Sequence, residues 1–153
     1  MNLDDIDVSI LDMLQNNAKF TIKEMANSLG LSATPIFERI KRLEAQGVIS
    51  RYVALVDPRK VDKKLRVFIE ISVADHSKTA INKFVDQITE HPEVIECHHV
   101  TGDSDFLIVL LTRDIESYND FITQKLFKVS NVGKVRSSFS LSVRKQTTAI
   151  NLT

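Results

Sequence analysis

The chain has 153 residues, room for one medium domain or two small ones. Twenty Lys and Arg balance twenty Asp and Glu. No whole-chain basic field therefore draws it to nucleic acid, and any such binding rests on a local patch. The single cysteine, Cys97, excludes a disulfide framework and fits a reducing, cytoplasmic setting. The acidic opening "MNLDDIDVSIL" does not read as a signal peptide, and no apolar run approaches the ~20 residues of a membrane helix.

The first fifty residues read as three helices. In "DDIDVSILDMLQNN", Ile6, Ile10, Leu11 and Leu14 make one apolar stripe at helical spacing. "TIKE" is a capping box, with Thr21 and Glu24 satisfying each other's amides. Met25, Ala26 and Leu29 carry that helix to Gly30, a helix stop. Ser32 offers the next N-cap, and Pro35 is tolerated in the first turn. The third helix runs through "PIFERIKRLEAQ" to Gly47.

From Val48 the period changes. "VISRYVALVD" is β-rich and ends in a turn signal at "DP"; the charged "RKVDKKL" is a short linker. "RVFIEISVAD" alternates as a strand, and "SKTAINKFVDQITEH" is an amphipathic helix. "EVIECHHV" and "FLIVLLTR" are strands flanking the polar knot "TGDSD". "DIESYNDFITQKLFKV" is a second helix and "GKVRSSFSLSVRK" a final strand. The order is βαββαβ, the ferredoxin-like split unit, so the fold class is α+β. The expected boundaries are a helix-turn-helix over 1–50, a strand and linker over 51–65, the βαββαβ domain over 66–145 and a tail over 146–153.

Three short helices with a tight Gly-Leu-Ser turn before the third describe a helix-turn-helix. Ile36, Ile40 and Leu43 share the face expected to pack on the first two helices, with Phe37 at its edge. The opposite face carries Thr34, Pro35, Glu38 and Arg42, flanked by Arg39 and Lys41. Cations there would meet phosphates while short polar groups and Arg meet base edges. Glu38 and Glu44 keep the patch modest, so one copy is expected to bind double-stranded DNA weakly and two or more to bind usefully.

"GLSATPIFERIKRLEAQGVISRYVALVDP" is similar to the segment that marks the Lrp/AsnC (leucine-responsive, asparagine-responsive) family of prokaryotic transcription regulators. "LDDIDVSILDMLQNNAK" resembles the family's opening helix, and "ECHHVTGDSDFLI" its effector-domain hairpin. The resemblance spans essentially the whole chain. It implies a winged-type helix-turn-helix, a C-terminal effector-binding and oligomerisation domain, and dimers that assemble into tetramers or octamers. It also implies an amino-acid effector bound between dimers, with no cofactor. Residue by residue, it implies a recognition helix that begins at Ser32 and presents Ala33, Thr34, Pro35, Glu38, Arg39 and Arg42; Lys41 joins them from its place on the flank of that face. The implied effector loop is Thr101, Gly102, Asp103, Ser104 and Asp105; His99 beside it, and Ser137 and Ser138 of the last strand lying opposite, complete the expected effector set.

The strand "FLIVLLTR" is apolar on both faces, whereas helices cover only one face of a ferredoxin-like sheet. An uncovered apolar face marks an interface, so sheet-to-sheet dimerisation is expected on physical grounds. Rival chemistries are weaker. Cys97 and His98 point to opposite faces of a strand and do not make a nucleophile–base pair. "CHH" lacks the ligands of a zinc site, and Asp103-x-Asp105 has no later Glu to complete a calcium loop. Both aspartates are expected to be solvated in a monomer. His98 and His99 either line an interface or simply pack. No Walker, dinucleotide or nucleophile-elbow motif is present, so the chain is not expected to be an enzyme. Two alternatives remain: a haem-precursor decarboxylase of the same two-domain form, and a DNA-organising protein that needs no effector.

Overall fold

The computed structural model describes residues 3–152; the outermost positions of the expected domain ranges lie outside them. The chain forms two compact units, one of residues 1–55 with 144–153 and one of residues 56–143. The C-terminal tail thus belongs to the same unit as the first three helices.

In the first unit, α1 (Asp5–Asn16), α2 (Ile22–Leu29) and α3 (Ala33–Ala45) follow in order. Asp4 caps α1 by accepting the Asp7 N–H at 2.8 Å. The expected capping box opens α2: Thr21 Oγ1 accepts the Glu24 N–H at 3.2 Å, and Glu24 Oε2 accepts the Thr21 N–H at 2.7 Å. Gly30 closes α2 in the left-handed conformation. Ser32 precedes α3 but makes no side-chain cap. An N-cap oxygen accepts the second or third amide of its helix, and the third residue here is Pro35, which has none. Ile10, Leu11, Met25, Ala26, Ile36, Ile40 and Leu43 form the core, including the predicted inner face of α3.

The tail packs onto this unit. Gln15 clasps the Ile150 backbone, donating from Nε2 to its carbonyl at 3.1 Å and accepting its N–H at 2.8 Å. Leu152 lies against the helical core. A cleft of about 640 Å³ runs between the end of α1, residues 48–53 and the tail, lined in part by Leu14, Val48, Tyr52 and Ile150.

The β-rich stretch after α3 corrects the expected strand: residues 50–57 form none. A strand exists by pairing its backbone with a neighbour, and these residues pair with none. Val53, Leu55 and Val56 are left exposed.

The second unit is the predicted βαββαβ: β1 (Leu65–Val73), α4 (Lys78–Thr89), β2 (Val94–His99), β3 (Phe106–Thr112), α5 (Ile115–Asp120) and β4 (Val132–Phe139). The antiparallel sheet has the order β2-β3-β1-β4. The second helix is shorter than expected. After Asp120 the chain widens into a π-helical turn, Phe121–Lys125, and then tightens into a 3₁₀ turn, Leu126–Lys128. Phe121 and Leu126 are both fully buried. Five residues apart they would diverge on a regular α-helix, and the wider turn lets both reach the core.

Val67, Ile69, Ile71, Phe106, Ile108 and Leu110 meet Phe84, Ile88, Phe121 and Leu126 in the core between sheet and helices. The other face of the sheet carries Phe68, Leu107, Val109 and Leu111, with the registers Phe68↔Val109 and Arg66↔Leu111. Phe68 is 37% exposed. Glu70 and Arg136 sit opposite each other on the same face and form an ion pair.

Candidate nucleic-acid interface and ligand loop

α3 exposes Ala33, Thr34, Glu38, Lys41 and Arg42, preceded by exposed Ser32; Pro35 and Arg39 are half-buried. Burial of Ile36, Ile40 and Leu43 forces this display, because residues three and four apart share a helix face. Lys41 is partnered along its own helix. Its ammonium lies 3.0 Å from Glu44 Oε2 and 5.9 Å from the Phe37 ring centre. Tyr52 Oη donates to Glu44 Oε1 at 3.1 Å. These two donors, Lys41 first, hold the Glu44 carboxyl below the usual range.

The two arginines are tied to α1. Arg42 Nη2 donates to both Asp7 oxygens, at 2.6 and 2.7 Å. Arg39 Nη1 donates to Asp7 Oδ1 at 2.7 Å and to Asp4 at 2.7 and 2.8 Å. Asp7 is only 1% exposed. The flank expected to be free cation is therefore a four-charge network, and one terminal nitrogen of each guanidinium is occupied. Sequence reasoning missed Asp4 and Asp7, although a signal was present. The acids and the arginines are each three residues apart, so two helices laid side by side bring them into register.

The loop between β2 and β3 is closed by the Val100 N–H, which donates to the Asp105 carbonyl at 2.8 Å. Gly102 has φ 122°, a backbone angle that side chains resist, in otherwise open space. Thr101, Gly102 and Asp103 are exposed; Ser104 and Asp105 are half-buried. Asp105 departs from expectation. Its Oδ2 accepts the Val73 N–H at 2.8 Å, and its Oδ1 lies 3.0 Å from His76 Nε2. The Val73 amide, then His76, hold this carboxyl below the ordinary range. Ser72 Oγ adds a bond to the Asp103 carbonyl at 3.2 Å. The end of β1 runs beside the loop, and a turn read from local sequence alone does not show that neighbour. His76 and Ser72 are loop partners that the sequence left unmarked.

His99 joins the loop, stacked on Phe106 with ring centres 4.8 Å apart. Ser137 and Ser138 do not. The loop-proximal residue Phe106 aligns with Ile71 and thence with Val135. Ser137 pairs with Ile69, further along, and accepts a bond from Tyr118 Oη at 2.9 Å. Ser138 lies across from Phe68 on the open face. One chain thus gathers His99 with Thr101–Asp105 and leaves the two serines on opposite faces of an outer strand. Cys97 packs against the core, and burial raises its thiol. Among the described residues no helix is long and apolar enough to cross a membrane, and no group of three or more His, Cys, Asp or Glu is placed to hold a metal.

Comparison with known proteins agrees with this architecture. Residues 66–150 match the Lrp/AsnC ligand-binding domain, and residues 3–50 match a winged helix-turn-helix DNA-binding domain. The glutamate uptake regulatory protein of Zymomonas mobilis is 39% identical over 150 residues, which cover 98% of this chain and 91% of that protein. The leucine-responsive regulatory protein of Haemophilus influenzae is 37% identical over 145 residues, covering 95% and 87%. An AsnC-family transcriptional regulator from Agrobacterium tumefaciens superposes with a TM-score of 0.94 at 37% identity, covering 98% and 97%. A transcriptional regulator from Neisseria meningitidis, solved as a complex with L-Met, has a TM-score of 0.94 at 33% identity, covering 99% and 97%. With its helix-turn-helix and ligand domain both matched, and its full length shared with such relatives, the chain belongs to the Lrp/AsnC family of effector-responsive, DNA-binding transcription regulators.

Proposed function

We propose that this protein regulates transcription from the cytoplasm as a homo-oligomer whose DNA affinity is set by an amino acid held at the β2–β3 loop. The carrying observation is a bare α3 edge together with an apolar sheet face on which Phe68 is exposed and Leu107 and Leu111 are half-buried, around the buried Val109. The sheet face is the dimer contact: stacking two copies buries the stripe and sets Glu70 and Arg136 at its rim. Dimers associate further into tetramers or octamers.

On DNA, Ser32, Ala33, Thr34, Pro35 and Glu38 form the reading edge of α3, and Lys41 meets the phosphate backbone. Arg39 and Arg42 contribute through the nitrogens that Asp4 and Asp7 leave unused. At the loop, the exposed amides near Gly102 receive the effector carboxylate, and Asp103 receives its ammonium. Thr101, Ser104 and His99 line the cradle, while Asp105 braces it. Ser137 and Ser138 take part only as residues supplied by another copy. The L-Met complex of the Neisseria relative supports the amino-acid class of ligand.

A thermal-shift screen across the twenty amino acids tests this reading. A ligand present at 100 times its Kd stabilises the native state by about 2.7 kcal/mol. The same ligand should then alter gel-shift affinity or assembly size. A screen in which none stabilises the protein, with DNA binding intact, favours an effector-independent DNA-organising protein.

A further inference from the structure

The four-charge network between α1 and α3 bears on how the protein tells its own site from bulk DNA. We infer that Asp7, assisted by Asp4, is a specificity-setting residue: it withholds two recognition-helix arginines from indiscriminate phosphate binding and fixes the guanidinium of Arg42. The inference rests on the DNA-binding reading and extends it to two residues outside the recognition helix.

Three observations carry it. First, the acceptor is buried and the donors are not. Asp7 is 1% exposed, whereas the side chains of Arg39 and Arg42 are 23% and 47% exposed. A carboxylate sunk beside α3 is in place before any DNA arrives. Second, each arginine gives Asp7 a single terminal nitrogen, Nη1 of Arg39 and Nη2 of Arg42. The grip sets the plane of the Arg42 guanidinium without consuming it, and a guanidinium reads a base or phosphate through a planar fork. Third, the charges cancel. Two arginines face two aspartates here, and Lys41 faces Glu44 one turn on. Every cation of α3 therefore has a resident anion.

Sequence-independent binding grows with each phosphate a cation neutralises, and it loosens with salt in proportion to that number. An arginine whose charge Asp7 or Asp4 already neutralises gains little from a phosphate of bulk DNA. At a fitting site the held guanidinium meets its partner without reorganising. The network thus lowers the non-specific background more than it lowers specific binding.

The test uses the full-length protein, a duplex that it selects from a random pool, and a random-sequence duplex. Affinities are measured across a salt series. Asp4→Asn keeps a good N-cap for α1 but removes one of the two negative partners of Arg39, leaving Asp7. It should steepen the salt slope on random duplex by about 1 and tighten that binding several-fold at low salt. Asp7→Asn should do both more strongly, by up to about 2 in slope, and lower the ratio of selected to random affinity roughly tenfold. Thermal unfolding separates charge from folding, because Asp4→Asn should melt close to the wild type. If both variants keep the wild-type slope and ratio, the network only packs α1 on α3 and the inference falls. If wild-type protein enriches no duplex from the pool, the DNA-binding reading itself fails and the inference goes with it.

Discussion

At Asp105 a strand end, a loop and an imidazole meet on one carboxylate. Its lowered pKa has a defined sign: the bonds to Val73 and His76 favour the charged form. Their contribution is full above the unfolded carboxyl value of about 3.9 and is lost as pH falls through the lower folded value. The loop should therefore stay closed at neutral pH and loosen only in acid. In an NMR titration the Val73 amide should shift with a midpoint below about 3.9; a midpoint at or above that value would remove the brace. Gly133 offers a second single-residue test. A Cβ there would stand 2.6 Å from the Ser72 carbonyl oxygen, where β1 and β4 slip register. That contact is with backbone and cannot swing aside. Gly133→Ala should destabilise by about 1–3 kcal/mol in urea unfolding, with its slope unchanged.

At the scale of elements, α3 and the C-terminal tail illustrate opposite origins of order. The register of α3 follows from its apolar spacing. The tail has little periodicity and is ordered by what it meets, the Gln15 side chain and the edge of the helical core. The two amide bonds are exposed, so their combined worth is about 1 kcal/mol. Gln15→Ala should release the segment: hydrogen exchange at the Ile150 amide should rise to the rate of free peptide, while amides inside α1 keep their protection. The pairing of β1 with β3 behaves like α3, because Val67, Ile69 and Ile71 alternate with Phe68 and Glu70 and a one-residue slip would turn the core outward. The broken second helix does not. Its π-helical turn serves Phe121 and Leu126, and a local pattern reads the same residues as one continuous helix.

For the whole molecule, the open sheet face carries the strongest prediction. Phe68→Glu places a charge in the apolar stripe but leaves the helix-covered core untouched. By sedimentation the variant should be a monomer at concentrations where the parent is a dimer, with the same far-ultraviolet circular dichroism. Wild-type protein that sediments as a monomer at micromolar concentration would overturn the interface directly. Residues 50–57 belong to the same scale: β-rich by composition, they pair with no strand, because residue preference alone does not supply a partner.

The sequence by itself determined the helix-turn-helix, the βαββαβ order, the inner face of α3 and the position of the loop. Each depends on local periodicity, capping chemistry or turn residues, which act over a few positions. Tertiary structure alone decided the fate of the charged groups. Arg39 and Arg42 read as free cations until α1 set Asp4 and Asp7 beside them, and Asp105 read as solvated until β1 ran alongside. Ser137 and Ser138 read as lying opposite the loop, and the register sets them along an outer strand of their own chain. Charges and hydrogen-bond donors act through space on whatever the fold brings within 3 Å; spacing along the chain records which groups match in register, as for Asp4 and Asp7 with Arg39 and Arg42, but not which elements lie side by side.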